Sequence, residues 1–394
     1  MNLSFLDEIK SSIKPKNMGV VDEFLSKIIV PGAKIVLGGS VAKGTNLEEF
    51  DVDVFVKFKE NKDISKRLHE ALKPFDPIIV HGSRDYFHII YKEITFEFVP
   101  VLDLEYNKPE NVIDMSPLHV DYFNSNSSKD QKEDVKLLKK FCQAINVYGA
   151  ESHINGFSGH VLCLLIIHYQ NFENLLKKAI NWKPKVVIDI KKHHKFPLMM
   201  IDKSKTIGPL VIVDPVQKER NAAAALNLES FNKFKSHAKK FLKNPSKEFF
   251  EEKNLDDLAK KINNLVIKIT LNIKGKKDVA GAKALKIKKF LEKNLAKYHE
   301  IGFCEFKFKK QGFVYVEIKS TPKTLKKTGP PLDKELHVAK FKKLYPSFEQ
   351  KEDDLHAIVK NPNPKPKEHV FNLLKSNYIS ERIEDFSVTF LNDA

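Results

Sequence analysis

Two aspartates one residue apart, Asp51 and Asp53, stand in the run DVDVFVK, downstream of a small-residue turn, Gly38-Gly39-Ser40. Along an extended chain side chains alternate faces. Asp51 and Asp53 therefore project together, while Val52, Val54 and Val56 project the other way. Two neighbouring carboxylates repel unless a cation lies between them. Oxygen ligands suit a hard divalent ion, and Mg²⁺ is commonly held by one or two carboxylates plus substrate phosphates. The turn offers the complementary half of such a site. Glycines let the backbone approach a phosphate closely, successive N–H groups can cradle its oxygens, and Ser40 adds a hydroxyl. A third carboxylate, Glu97, sits between Phe96 and Phe98 in an alternating run. Alone it reads as an outward residue on a one-sided sheet; beside the aspartate pair it is a candidate third ligand. Cations held by Asp51, Asp53 and Glu97 would neutralise a nucleoside triphosphate, activate an attacking hydroxyl and stabilise departing pyrophosphate. No G-x-x-x-x-G-K-[ST] sequence occurs, so the turn is not a Walker A loop.

Interleaved elements must position these residues. Strands are expected at 34–37, 51–58, 78–80, 86–91 and 94–99, with a helix over 63–72, so roughly the first 120 residues form an α/β or α+β layer. From 131 to 180 the spacing is helical, most apolar at Val161–Tyr169. Short β-branched runs follow at 186–190 and 210–213, separated by a basic loop at 191–205, and helical spacing returns at 228–242. Beyond 265 come a strand (266–273), a helix (280–298) and a hairpin of two alternating strands (303–308 and 313–318). The remainder reads as short helical patches around a Pro/Lys-rich break at 361–367.

The chain has 394 residues, enough for two or three domains, with a formal net charge of +16 and 42% hydrophobic residues. Residues 272–327 hold 16 Lys against 5 Asp or Glu, a local net of +11. A charge this patterned points to a polyanionic partner, nucleic acid above all, more than to a uniformly Lys-rich composition. Cys142, Cys163 and Cys304 are scattered and odd in number, which excludes a disulfide framework and a Cys-based zinc site and favours a reducing, cytoplasmic setting. No secretory leader is expected in MNLSFLDEIK, and no apolar run is long enough to span a membrane.

The stretch GGSVAKGTNLEEFDVDVFV resembles the nucleotidyltransferase signature of the polymerase-beta superfamily. MSPLHVDYF (115–123), VKLLKKFCQAINVYGAE (135–151), INGFSGHVLCLLI (154–166), WKPKVVIDI (182–190), DPVQKERNAAAALN (214–227) and KKTGPPLDKELHVAKF (326–341) resemble the archaeal (class I) CCA-adding enzymes, in collinear order. The resemblance implies an α+β fold: a polymerase-beta-like head (1–130), a mainly helical neck (131–262), and a small α/β body and tail (263–394). It implies template-independent addition of CCA to the 3′ end of tRNA from CTP and ATP, with Mg²⁺ as cofactor. The implied RNA partner is the acceptor and TΨC arm; a homodimer is left open. A poly(A) polymerase of the same chemistry and a non-catalytic RNA-binding module are the alternatives. Residue by residue, Gly39 and Ser40 resemble the family's phosphate-binding turn, and Lys43 falls where the family often has Arg. Asp51 and Asp53 resemble the metal-binding pair, and Glu97 falls where the third carboxylate is usually Asp. His119, Lys139 and Tyr148 resemble nucleotide-contacting residues, and Arg220 resembles a base-reading arginine. Read without the resemblance, His119 after Pro117-Leu118 is first a loop histidine; Lys139 is one of many solvated lysines, though at the edge of an apolar helix face it is better placed than Lys136 or Lys140 to reach a cleft; Tyr148 is also a packing residue and Arg220 a surface charge.

Overall fold

Alternating burial builds the head. The computed structural model describes residues 4–351 and 354–392. Helices α1 (Phe5–Ser12) and α2 (Met18–Leu25) lead into β1 (Ala33–Leu37), a short helix α3 (Gly39–Lys43), β2 (Val52–Phe58), α4 (Ile64–Leu72), β3 (Ile78–Val80), β4 (Tyr86–Tyr91) and β5 (Ile94–Leu102). The sheet runs β1-β2-β5-β4-β3; only β2 and β5 pair in parallel. Val52, Val54, Val56 and Phe58 of β2 face one core with Phe24 of α2 and Leu68 of α4. Phe55, on the opposite face, packs with Val99, Val101 and Val120. The middle of β2 is thus apolar on both sides, which suits a central strand. The strand expected from Asp51 begins at Val52, leaving Asp51 just outside it.

The same unit, which runs to Glu252, continues through α5 (Ser116–Asn126), α6 (Lys129–Gln143), α7 (Gly159–Tyr169), α8 (Phe172–Ala179), β6 (Val186–Asp189), the single turn α9 (Pro197–Met200), β7 (Leu210–Val213) and α10 (Leu228–Lys243). Ser128 opens α6 with a capping box: its hydroxyl accepts from Gln131 N–H, and the Gln131 side chain accepts from Ser128 N–H. Val161 to Ile167 of α7 are buried all round, so this helix is apolar on every face because it has no solvent face in its middle. Around it pack Phe141, Phe157, Phe172, Phe231, Phe234 and Phe241, all fully buried. Leu6 of α1 joins this helical core, not that of the head.

The second unit, from Lys253, holds α11 (Leu255–Lys260), β8 (Leu265–Asn272), α12 (Lys277–Leu295), β9 (Glu300–Phe308), β10 (Gly312–Ser320), β11 (Thr324–Thr328), α13 (Glu335–Leu344), β12 (Phe348–Lys351), β13 (Asp354–Lys360), α14 (Pro366–Leu374) and β14 (Asp385–Leu391). Its main sheet is β14-β8-β10-β9, with Ala284, Ile287, Leu291 and Leu295 of α12 and Val370 and Leu374 of α14 in the core. The expected strand, helix and hairpin are present. The short helical patches expected beyond Gly329-Pro330-Pro331 are present as α13 and α14, but the reading missed the strands: β11, β13 and β12 form a second sheet and β14 joins the main one. Strand β11 (TLKKT) carries one apolar side chain, too few to display a period of two. Strand β14 does alternate, through Phe386, Val388 and Phe390, and pairs along β8.

Trp182, the only tryptophan, stacks on Phe231 and Phe234 with centroids 5.6 and 5.9 Å away. Emptying the Phe234 position removes fully buried aromatic contacts. Phe234→Ala is expected to destabilise this core by about 3–5 kcal/mol, read as a lower urea midpoint in Trp182 fluorescence; an unchanged midpoint would contradict the packing described.

Candidate active site

The turn after β1 is shaped by what lies beneath it. Gly38 N–H donates to Asp53 O at 2.8 Å, tying the turn to β2. Gly39 has φ +52°, and a Cβ there would fall 1.5 Å from Asp53 Oδ2; a Cβ at Gly38 would fall 2.4 Å from the Phe55 ring. Both glycines are therefore demanded by β2. Gly44, at φ +66°, ends α3, and Thr45 N–H closes the turn onto Ser40 O at 2.9 Å. Lys43 is buried, with Nζ 5.9 Å from the centre of the Phe123 ring.

Strand register gathers the acids. Asp53 pairs with Glu97 across the parallel β2–β5 ladder, and Glu97 pairs with His88 across the antiparallel β5–β4 ladder. Asp53 is held up at about 6 by burial, then by the charges of Glu97 and Asp51, with Lys43 opposing. Asp51, although outside the strand and exposed, is close enough to contribute to that repulsion. Asp51 and Glu97 thus both bear on Asp53, with Lys43 the opposing charge, and all three acids offer carboxylate oxygens. That set fits a hard divalent cation.

A second cluster forms where α5 meets the loop after β7. Asp214 is fully buried and accepts from His119 Nε2 at 3.0 Å, His160 Nε2 at 3.2 Å and Arg220 Nη1 at 2.6 Å. Its Oδ1 also accepts from Val216 N–H at 2.9 Å and Gln217 N–H at 3.2 Å. Burial alone would raise this carboxyl, but the bonds from His119 and His160 outweigh it and hold Asp214 well below the usual carboxylate range. Burial pushes His160 down to about 4, so it is neutral at pH 7. His119, His160 and Asp214 have ligand atoms close enough to surround a cation. Asp214, however, is already engaged by a guanidinium and two backbone N–H groups, which leaves this trio better explained as a hydrogen-bonded hub.

A cleft of about 330 Å³ lies between the glycine turn and the Asp214 hub: Gly39 and Lys43 line it from the turn, His119, His160 and Arg220 from the hub, while Asp51, Asp53 and Glu97 are not among its lining residues. Four of the residues singled out in the sequence therefore share one space. Lys139 and Tyr148 are not among its lining residues. Lys139 is buried and donates to Thr45 O at 2.7 Å, just past the turn; burial lowers its ammonium to about 8. Its Nζ is 5.9 Å from the centre of the Tyr148 ring, whose hydroxyl burial pushes up. The neighbouring lysines differ: Lys136 pairs with Glu133 and Lys140 with Glu48. Asp51 also borders a separate groove with Glu48, Glu49 and Lys92. Sequence reading missed His160 and His88. The first was marked only as a polar residue opening an otherwise apolar helix, the second only by alternation on β4.

Residues 19–141 match the profile of a nucleotidyltransferase domain, and residues 133–251 that of a tRNA nucleotidyltransferase second domain. The chain is 35% identical over 378 residues to a CCA-adding enzyme of Nanoarchaeum equitans, covering 91% of this chain and 89% of that one. The chain belongs to the CCA-adding enzyme family. A CCA-adding enzyme of Methanosarcina acetivorans is 30% identical over 381 residues, covering 89% of this chain and 82% of its own. In fold, a cytoplasmic RNA terminal U-transferase superposes with a TM-score of 0.50 at 14% identity, covering 64% of this chain and 98% of that one. Nucleotidyltransferase domains generally use a divalent metal.

The Gly39 contact yields a sharp expectation. In Gly39→Ala the new methyl must displace the Asp53 carboxylate, and a shift on the order of 1 Å at a reacting centre costs about 10²-fold. Nucleotide incorporation is expected to fall by at least that factor with circular dichroism unchanged; near-normal activity would mean that the turn and Asp53 are not coupled.

Proposed function

We propose that this protein adds CCA to the 3′ end of tRNA without a template, using CTP and ATP and releasing pyrophosphate. The observation that carries this reading is the cleft in which the glycine turn and Lys43 face His119 and Arg220, in a chain of the CCA-adding family. The backbone N–H groups at Gly39 and Ser40, with Lys43, are suited to hold the triphosphate. Arg220 presents a planar donor fork to a base edge, held by Asp214; the fork can read a hydrogen-bonding pattern that a lysine could not. His119, fixed by the same carboxylate, reaches the cleft from α5. Lys139 supports the turn by holding Thr45, and the centre of the Tyr148 ring lies 5.9 Å from its ammonium.

Asp51, Asp53 and Glu97 would hold Mg²⁺. When bound, the cation would neutralise the triphosphate, lower the pKa of the attacking 3′-hydroxyl and ease departure of pyrophosphate. The Gly39 and Ser40 N–H groups and Lys43 orient the triphosphate against that hydroxyl. The new bond joins the tRNA 3′-oxygen to the α-phosphorus, and the bond to the bridging oxygen of the β-phosphate breaks. The acceptor and TΨC arm is the RNA this reading assigns, and the basic 272–327 segment is suited to phosphate contacts whose strength falls with salt.

The test is incubation with tRNA transcripts that end before CCA, with CTP, ATP or both, and product length as readout. Two additions with CTP alone and three with both are expected; no CTP incorporation would overturn the reading. Chelation by EDTA should stop the reaction and Mg²⁺ restore it. Asp53→Ala should lose several kcal/mol of transition-state stabilisation, on the order of 10³-fold in kcat; unchanged kcat would remove Asp53 from the site.

A further inference from the structure

The third carboxylate is a glutamate, and its reach is governed by a residue on the neighbouring strand. His88 of β4 lies directly opposite Glu97 of β5, which in turn pairs with Asp53 of β2. Residues in register on adjacent strands project from the same face, so His88, Glu97 and Asp53 form a row across three strands. His88 Nε2 lies 2.9 Å from Glu97 Oε2. A carboxylate can only accept, so the Nε2 atom carries the proton and donates. The two side chains are 31% and 34% exposed, open enough to border a bound ligand yet flanked by strands on both sides.

A glutamate has one more rotatable bond than an aspartate. Ordering such a chain costs side-chain entropy, and a free Glu97 would distribute its carboxylate over several rotamers. The bond from His88 selects one of them. It engages Oε2 and not Oε1. Partners that hydrogen-bond to a metal ligand fix its orientation in this way.

We infer that His88 is a positioning residue that holds the Glu97 carboxylate in the orientation needed to share a divalent cation with Asp53, and so makes glutamate competent at this strand position. This rests on Asp51, Asp53 and Glu97 being the cation ligands. His88 does not touch the nucleotide; it acts through Glu97.

The test compares His88→Leu, which removes the donor, with His88→Gln, which keeps one, each alone and combined with Glu97→Asp. Mn²⁺ binding to the full-length enzyme with CTP and no tRNA is followed by electron paramagnetic resonance, alongside kcat and KM for tRNA. Loss of an outer partner typically costs about 10–100-fold in metal affinity or activity. His88→Leu should weaken Mn²⁺ binding and lower kcat within that range, leaving KM for tRNA unchanged. His88→Gln should recover most of both. In the Glu97→Asp background, whose shorter acid no longer meets His88, His88→Leu should change Mn²⁺ binding little. Unchanged Mn²⁺ binding in His88→Leu, or an equal loss in both backgrounds, would overturn the inference. If His88→Leu melts early, the Gln variant decides: weakened Mn²⁺ binding there, with an unchanged melting temperature, also overturns it. Because Mn²⁺ is read without tRNA, failure of CTP incorporation in the unmodified enzyme would remove the proposed reaction and leave this test standing.

Discussion

In the head, a carboxylate fills the space where a glycine lacks its side chain. Asp53 Oδ2 occupies the space a Cβ would fill at Gly39, and the Gly38 N–H is tied to the carbonyl of the same aspartate. The turn that can receive phosphate is therefore tied directly to the strand that carries Asp53. Any movement of β2 moves the turn. This coupling places anionic oxygens and acidic ligands side by side, an arrangement unfavourable in isolation. The raised affinity of Asp53 for a proton reflects that strain, since burial and two like charges act on it together.

A second buried carboxylate solves the opposite problem. Asp214 satisfies its charge within the protein, through two imidazoles, a guanidinium and two backbone N–H groups. It needs no ligand, and it holds His119 and Arg220 so that both present themselves to the cleft. One carboxylate group is left under-compensated and the other is saturated. That contrast separates the acids suited to a cation from the hub that fixes His119 and Arg220 at the cleft.

Much of this is written locally in the chain. The period of two around Asp53 and around Glu97, the glycine pair before them and the apolar α7 need only neighbouring residues to be read. Lys139 is less legible, since its burial depends on Thr45, 94 residues away. The Asp214 hub and the His88–Glu97 bond depend on strand register and on how α5 and α7 meet, which no local pattern encodes. His160 and His88 were invisible for that reason. Strand β11 was hidden by its lysines, whereas β14 carried a readable alternation. The family resemblance supplied candidate roles for His119, Lys139, Tyr148 and Arg220, and the geometry accounts for how His119 and Arg220 come to share a cleft with Gly39.

Among the described residues, the trio His119, His160, Asp214 is the group whose ligand atoms all lie within 4.8 Å of one another, whereas the proposed cation ligands are Asp51, Asp53 and Glu97. A crystal structure of the protein with Mn²⁺ and a non-hydrolysable CTP analogue, read by anomalous scattering, separates them. The account predicts a Mn²⁺ peak within coordination distance of Asp53 and Glu97, with the triphosphate lying on the Gly39–Ser40 turn. A peak held by His119, His160 and Asp214, with the carboxylate row empty, would contradict it.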